Sequence, residues 1–134
     1  MKLFEDKYEM LKKRILLVDD EENILETYCS LLSEEGFYVV TTDSVRKASK
    51  AFLTSKFDLV ITDLGLGEGN SFPLIEEIKE KSPNTPVIMF TKSVKTKLLS
   101  EYLSILGVYA MIEKTCSNKD FISCVMGSLG LRYD

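Results

Sequence analysis

The 134-residue sequence predicts an α/β fold in three layers, a parallel five-stranded sheet with helices on both faces. Three observations lead there. Short apolar runs such as Ile15-Leu16-Leu17-Val18, Leu59-Val60-Ile61-Thr62 and Val87-Ile88-Met89-Phe90 show no alternation, the pattern of strands covered on both faces. Between them lie longer stretches with apolar residues at helical spacing. Glycine, proline and small polar residues mark the joints, and strand-helix-strand connections of this kind are right-handed.

Taken in order, residues 1–13 carry Leu3, Phe4, Tyr8 and Leu11 among charges, a weak helical stripe read as a short N-terminal extension. The first strand, Arg14 to Val18, runs directly into Asp19-Asp20-Glu21-Glu22. Ile24, Leu25, Tyr28, Leu31 and Leu32 then define a helix from about Glu22 to Glu35, with Gly36 as its C-terminal stop. Phe37 to Thr42 reads as the second strand. Ser44 caps a helix bearing Val45, Ala48, Ala51 and Phe52, and the third strand ends on Asp63. After the glycine-rich Gly65-Leu66-Gly67-Glu68-Gly69-Asn70, Ser71 is expected to cap a helix with Pro73 in its first turn and Leu74, Ile75 and Ile78 inward. Ser82-Pro83-Asn84-Thr85-Pro86 is turn chemistry before the fourth strand, which ends at Thr91. A helix from about Val94 to Leu106 follows, with Leu98, Leu99, Tyr102, Ile105 and Leu106 inward or at its edge, and Gly107 ends it. Tyr109 to Ile112 forms the fifth strand with Lys114 beyond it. A last helix of about Asn118 to Leu129 buries Phe121, Ile122, Val125 and Leu129, and residues 131–134 form a tail. With no linker or repeat, the reading is one domain over 14–130 without an attached output domain, so any signal is expected to leave through its own surface.

Composition narrows the chemistry. Seventeen basic against 21 acidic residues give a net charge of −4, so no basic field attracts nucleic acid. Three scattered cysteines fit neither a disulfide framework nor a zinc site. No apolar run is long enough to cross a bilayer, and the charged N-terminus does not resemble a signal peptide, so a cytoplasmic location is expected. Histidine is absent, which removes Ser-His and Cys-His nucleophilic pairs and histidine metal ligands.

The carboxyl ends of the strands share one edge of such a sheet, where ligands bind. Asp19, Asp20, Asp63, Thr91 and Lys114 are therefore expected to converge. Clustered carboxylates repel unless a cation neutralises them, and hard oxygen ligands suit Mg²⁺ or Mn²⁺. With one Asp63 oxygen on the metal and the other free to attack, and with Lys114 and the Thr91 hydroxyl facing an incoming anion, the set suits phosphoryl transfer to Asp63 as an acyl phosphate. Singly, each residue has a plainer reading: an acidic helix start, a turn aspartate, a strand-end cap, a solvated lysine. It is their register at four strand ends that favours a site. The glycine-rich stretch lacks the third glycine of a dinucleotide fingerprint and follows the wrong strand. Gly65 also stands where haloacid-dehalogenase phosphatases carry their second aspartate. The Lys92, Lys95 and Lys97 run reads as a solvated helix start.

The motifs Ile-Leu-Leu-Val-Asp19-Asp20-Glu21, Leu-Val-Ile-Thr-Asp63, Val-Ile-Met-Phe-Thr91 and Met-Ile-Glu-Lys114 closely resemble those of the receiver domains of two-component response regulators, over about residues 14 to 130. The resemblance implies a flavodoxin-like (βα)5 fold with strand order 2-1-3-4-5. It further implies Asp63 as phosphoacceptor, Asp19, Asp20, Asp63 and the Gly65 carbonyl as Mg²⁺ ligands, Thr91 as switch hydroxyl and Lys114 as phosphate-binding lysine. The phosphoryl donor would be a sensor histidine kinase or histidine phosphotransfer protein. The output surface would span about residues 94–129, on a monomer or weak homodimer that uses neither nucleic acid nor membrane and whose own catalysis is slow autodephosphorylation.

Four departures from that family's pattern mark candidate modulators. Thr115 replaces the usual proline after Lys114, which implies a trans bond, since a non-proline cis bond costs about 2.5 to 4 kcal/mol. Gly67 and Ser71 replace a proline and a glycine after the acceptor, so the loop is expected to tighten on metal or phosphoryl binding. Met111 stands at the aromatic switch position, whose motion Tyr109 or Tyr102 could take over. Lys92 replaces a small residue and could screen the phosphoryl group or pair with Glu68. An alternative class follows from these departures: a phosphorylation-independent adaptor that keeps the fold.

Overall fold

The computed structural model describes residues 13–66, 69–92 and 97–132. The expected N-terminal stripe, Gly67, Glu68, Lys95, the helix start at Val94 and the last two residues of the tail lie outside them.

Five strands form one parallel sheet: β1 (Arg14–Val18), β2 (Tyr38–Thr42), β3 (Leu59–Thr62), β6 (Val87–Thr91) and β7 (Ala110–Glu113), in the order β2-β1-β3-β6-β7. Five helices connect and cover them: α1 (Glu22–Glu34), α2 (Val45–Thr54), α3 (Phe72–Lys81), α4 (Lys97–Ile105) and α5 (Asn118–Ser128). Successive strand side chains point to opposite faces, and both faces are covered, which is why β1, β3 and β6 read as unbroken apolar runs. Ile15, Leu17, Leu59, Ile61, Ile88 and Phe90 face α1 and α5. Leu16, Val18, Val60, Val87 and Met89 face α2, α3 and α4. On the first face the rings of Tyr28, Phe90 and Phe121 meet with centroids 4.7 to 5.0 Å apart, tying α1 and α5 to the strand that ends in Thr91.

Helix boundaries follow local chemistry. Ser44 accepts from the Lys47 amide at 3.2 Å and Ser117 from the Asp120 amide at 3.0 Å, two N-caps that satisfy first-turn donors. Gly36 at φ 102° and Gly107 at φ 85° take the left-handed conformation that lets the chain leave α1 and α4.

Two expectations are corrected, and one pairing is added. Ser71 precedes α3 with φ and ψ of −87° and 0°, but its side chain makes no capping bond, and the Asn70 side chain accepts from the Phe72 amide at 2.9 Å instead. Within the glycine-rich stretch, β4 (Gly65–Leu66) pairs antiparallel with β5 (Gly69–Asn70), with Leu66 buried. On α4 the inward residue is Leu103, 2% exposed, flanked by Leu99 and Leu106, while Leu98 and Ile105 are 77% and 83% exposed and Tyr102 is also exposed. The helix carries two apolar stripes one residue apart, 98-102-105 and 99-103-106, and only contact with the sheet selects between them. Smaller shifts are the start of β2 at Tyr38 and of β7 at Ala110.

Candidate functional site at the strand ends

The sheet delivers its polar residues to one edge. Past the end of β1, the Asp19 amide donates to the Thr42 carbonyl at 3.1 Å, extending the pairing with β2 by one residue. The Asp63 amide does the same toward the Val18 carbonyl at 3.1 Å. Both side chains therefore emerge side by side just where the ladder ends. Asp19 is then fixed by its own turn: its Oδ1 accepts from the Glu21 amide at 2.9 Å. Asp63 Oδ1 accepts from the Leu64 amide at 2.7 Å. From the far side of the sheet the Lys114 amide donates to the Thr91 carbonyl at 2.7 Å, which places the lysine at the same edge.

Lys114 dominates the electrostatics. Its Nζ lies 2.7 Å from Asp19 Oδ2, 2.8 Å from Asp63 Oδ2 and 3.0 Å from Glu21 Oε2, and its side chain is only 5% exposed. Burial pulls the Lys114 ammonium down, but hydrogen bonds to Asp19, Asp63 and Glu21 outweigh burial and hold its pKa above that of free lysine. For Asp19, 1% exposed, the balance reverses: burial raises its pKa, and the bond to Lys114 with that from the Glu21 amide offsets only part of the rise. Glu21 is held below the usual carboxylate value by its bonds to Lys114 and Lys92, the latter at 3.2 Å from Oε1. The lysine thus fills the place of a cation among three carboxylates.

Asp19, Asp20 and Asp63 each offer a carboxylate oxygen within 4.8 Å of the others, a hard-oxygen set that fits Mg²⁺ or Mn²⁺. Beside them opens a cleft of about 310 Å³ lined by Asp63, Leu64, Gly65, Asn70, Thr91 and Lys92, with Leu99 at its edge. A larger cleft of about 650 Å³ lies at the opposite end of the strands, around Phe57, Asp58 and Thr85, and gathers no comparable acidic cluster.

Comparison with known proteins agrees with this geometry. The family model described as the response regulator receiver domain matches residues 15–126. This chain belongs to the receiver domain family. Among curated relatives, the alginate biosynthesis transcriptional regulatory protein AlgB of Pseudomonas syringae pv. tomato is 38% identical over 78 residues, 58% of this chain and 17% of AlgB. The chain therefore spans less than a fifth of such relatives. Among solved structures, the non-phosphorylated HemR receiver domain from Leptospira biflexa superposes with a TM-score of 0.83 at 29% identity, covering 92% of this chain and 98% of that one. A CheY-like receiver domain protein from Methanospirillum hungatei gives 0.83 at 25% identity, covering 88% and 94%. Receivers are signalling switches of two-component systems in which phosphorylation and an Mg²⁺-binding acidic pocket are shared features.

The receiver's sequence-predicted residues arrive as follows. Asp19, Asp63 and Lys114 are in direct contact, Asp20 belongs to the carboxylate cluster, and Gly65, Thr91 and Lys92 line the cleft. With no metal bound, both Asp63 oxygens accept hydrogen bonds, one from the Leu64 amide and one from Lys114. The Lys114–Thr115 bond is trans, and Thr115 hydroxyl donates to Glu113 at 3.2 Å, away from the site. Met111 is half-buried against the core between the sheet and α4. Tyr102 meets Phe72 edge-on at 5.2 Å, and Tyr109 lies over Gly127, where an added Cβ would stand 2.9 Å from its hydroxyl. Lys92 pairs with Glu21. Glu21 is the residue of this charge cluster that sequence reading passed over: it looked like an acidic helix start, yet it sits at the N-cap of α1 without a capping bond and turns its carboxylate to two lysines. Its place directly after the acidic pair was the available signal. Among the described residues no helix is long and apolar enough to cross a membrane.

Proposed function

We propose that this receiver accepts a phosphoryl group on Asp63 from the phosphohistidine of a partner kinase or phosphotransfer protein. The supporting observation is the single buried ammonium of Lys114 bonded at once to Asp19, Glu21 and Asp63 at the mouth of the cleft. In the step, an Asp63 oxygen attacks phosphorus, the new O–P bond forms as the P–N bond to the donor imidazole breaks, and the imidazole leaves with the electron pair. Lys114 and Thr91 are assigned to the phosphoryl oxygens, Asp19, Asp20, Asp63 and the Gly65 carbonyl to the metal. A bound Mg²⁺ supplies neutralisation of the carboxylates and of the transferring group's charge. Lys114, now on Asp63 Oδ2, turns with that oxygen toward the incoming anion. Lys92, Met111 and Thr115 are assigned as modulators of phosphoryl lifetime and output.

Output is assigned to the surface of about residues 94–129, where Leu98, Tyr102, Ile105 and Tyr109 present exposed apolar side chains suited to a downstream protein. The domain is proposed to work in the cytoplasm, as a monomer or weak dimer, without contacting nucleic acid. The size of the native polypeptide in cell extract separates a stand-alone switch from the receiver of a longer regulator. A phosphorylation-independent adaptor is the second reading. Half-buried Met111 in place of an aromatic switch residue favours it.

Intact mass after incubation with Mg²⁺ and acetyl phosphate tests the primary reading. A phosphate adduct on the wild type, absent from Asp63→Asn, supports it. No adduct on either supports the adaptor.

A further inference from the structure

Lys114 is not the only cation at the mouth of the acceptor cleft. Glu21 spreads its two oxygens between Lys114 at 3.0 Å and Lys92 at 3.2 Å, so a continuous chain of charges runs Lys92–Glu21–Lys114–Asp63. It joins the loops after β1, β6 and β7. Lys92 also lines the cleft beside Asp63 and Thr91. We propose that Lys92 is a second phosphoryl-binding residue, held back by Glu21 at rest and transferred to the phosphoryl oxygens once Asp63 is modified. Glu21 is the positioning residue for that transfer. The inference rests on the reading of Asp63 as phosphoacceptor.

The two lysines differ in what they can do. Lys114 is 5% exposed and bound by three carboxylates, so it meets the anion only by turning with Asp63, because leaving Asp19 and Glu21 as well would strand buried charge. Lys92 is 73% exposed and pairs with a carboxylate that is itself 34% exposed. Such a pair contributes little, so an anion of higher charge density can take its ammonium at small cost. A phosphoryl group is that anion, carrying close to two negative charges and three acceptor oxygens where Glu21 offers one charge.

Charge counting points the same way. Asp19, Asp20, Glu21 and Asp63 against Lys92 and Lys114 give −4 + 2 = −2, which one divalent cation balances. Phosphorylation of Asp63 then adds about one further negative charge at the cleft. Among the described residues, Lys92 lines the cleft and is exposed enough to move toward that charge, while Glu21 keeps its bond to Lys114. A long side chain laid over the phosphoryl group also obstructs the water that would attack phosphorus in line.

Wild type, Lys92→Gln, Lys92→Arg, Glu21→Gln and the Glu21→Gln/Lys92→Gln double variant are each titrated with beryllofluoride in Mg²⁺ by calorimetry. Each is also labelled with acetyl phosphate, in which an Asp63 oxygen displaces acetate from phosphorus, and adduct loss is followed by mass. Lys92→Gln is expected to weaken beryllofluoride binding and shorten adduct half-life about three- to tenfold, with Lys92→Arg close to wild type. Glu21→Gln is expected to strengthen beryllofluoride binding about two- to threefold when Lys92 is present and to change it little when Lys92 is glutamine. Unchanged binding and half-life in Lys92→Gln overturn the inference, as does an equal effect of Glu21→Gln in both backgrounds. A wild type that takes neither adduct nor beryllofluoride overturns the phosphoacceptor reading first and this inference with it.

Discussion

Replacing Lys114 by methionine keeps an unbranched side chain, one atom shorter, and removes the ammonium that three carboxylates share. Asp19 is 1% exposed and the lysine 5%, so water cannot take over the lost bonds. Breaking one side of a buried ion pair costs about 3 to 5 kcal/mol. Asp19 has an escape, protonation, which sets a ceiling. Starting from its ordinary value of 3.8, holding that carboxyl neutral at pH 7 costs about 4.4 kcal/mol, and at pH 5 about 1.6 kcal/mol, at roughly 1.36 kcal/mol per pH unit. The sign follows from linkage: a carboxyl whose folded pKa is raised favours the fold below its unfolded pKa and loses that contribution as pH rises through the folded value. Urea unfolding in the presence of a chelator should therefore show Lys114→Met destabilised by about 3 to 4 kcal/mol at pH 7 and by less than about 2 kcal/mol at pH 5. Mg²⁺ should recover much of the loss, because a ligand at 100 times its dissociation constant stabilises by about 2.7 kcal/mol. A variant within about 1 kcal/mol of wild type at pH 7 would refute the argument that Lys114 neutralises a buried cluster. A deficit that does not shrink at pH 5 would refute the role given to Asp19.

Two further outcomes follow. Carboxyl ¹³C titration without metal should place the Asp19 midpoint above 3.8 and the Glu21 midpoint below 4.5. Glu21 thus supports the fold above its ordinary value and withdraws that support as pH falls through its folded value, the reverse of Asp19; either midpoint on the other side contradicts the assigned partners. Gly127→Ala should gain up to about 1 kcal/mol in helix propensity, because the obstructing atom is the hydroxyl end of Tyr109, which is 52% exposed and able to swing aside. Thermal unfolding measures the gain, and a clear loss of stability would mean that Tyr109 is fixed over α5.

What the sequence determined by itself is whatever local pattern carries. Unbroken apolar runs specify strands covered on both faces, and a run that ends on a carboxylate places that carboxylate at the sheet edge, so the convergence of Asp19, Asp63, Thr91 and Lys114 is legible in the sequence. Their four motifs carried the family as well. Local pattern could not choose between the two apolar stripes of α4, because both satisfy helical spacing and only the position of the sheet buries Leu103 and leaves Leu98 and Ile105 in solvent. Nor could it see that Asn70 rather than Ser71 meets the first turn of α3, since both are capping residue types and only the folded entry into the helix shows which side chain reaches the Phe72 amide. The partition of charge at the site was beyond it for the same reason. Lys114 is separated from Glu21 by 93 residues and from Asp63 by 51, and which carboxylates share its ammonium depends on how three loops meet over one sheet edge. That meeting turns Glu21 from an acidic helix start into the link between two lysines, and it exists only in the folded chain.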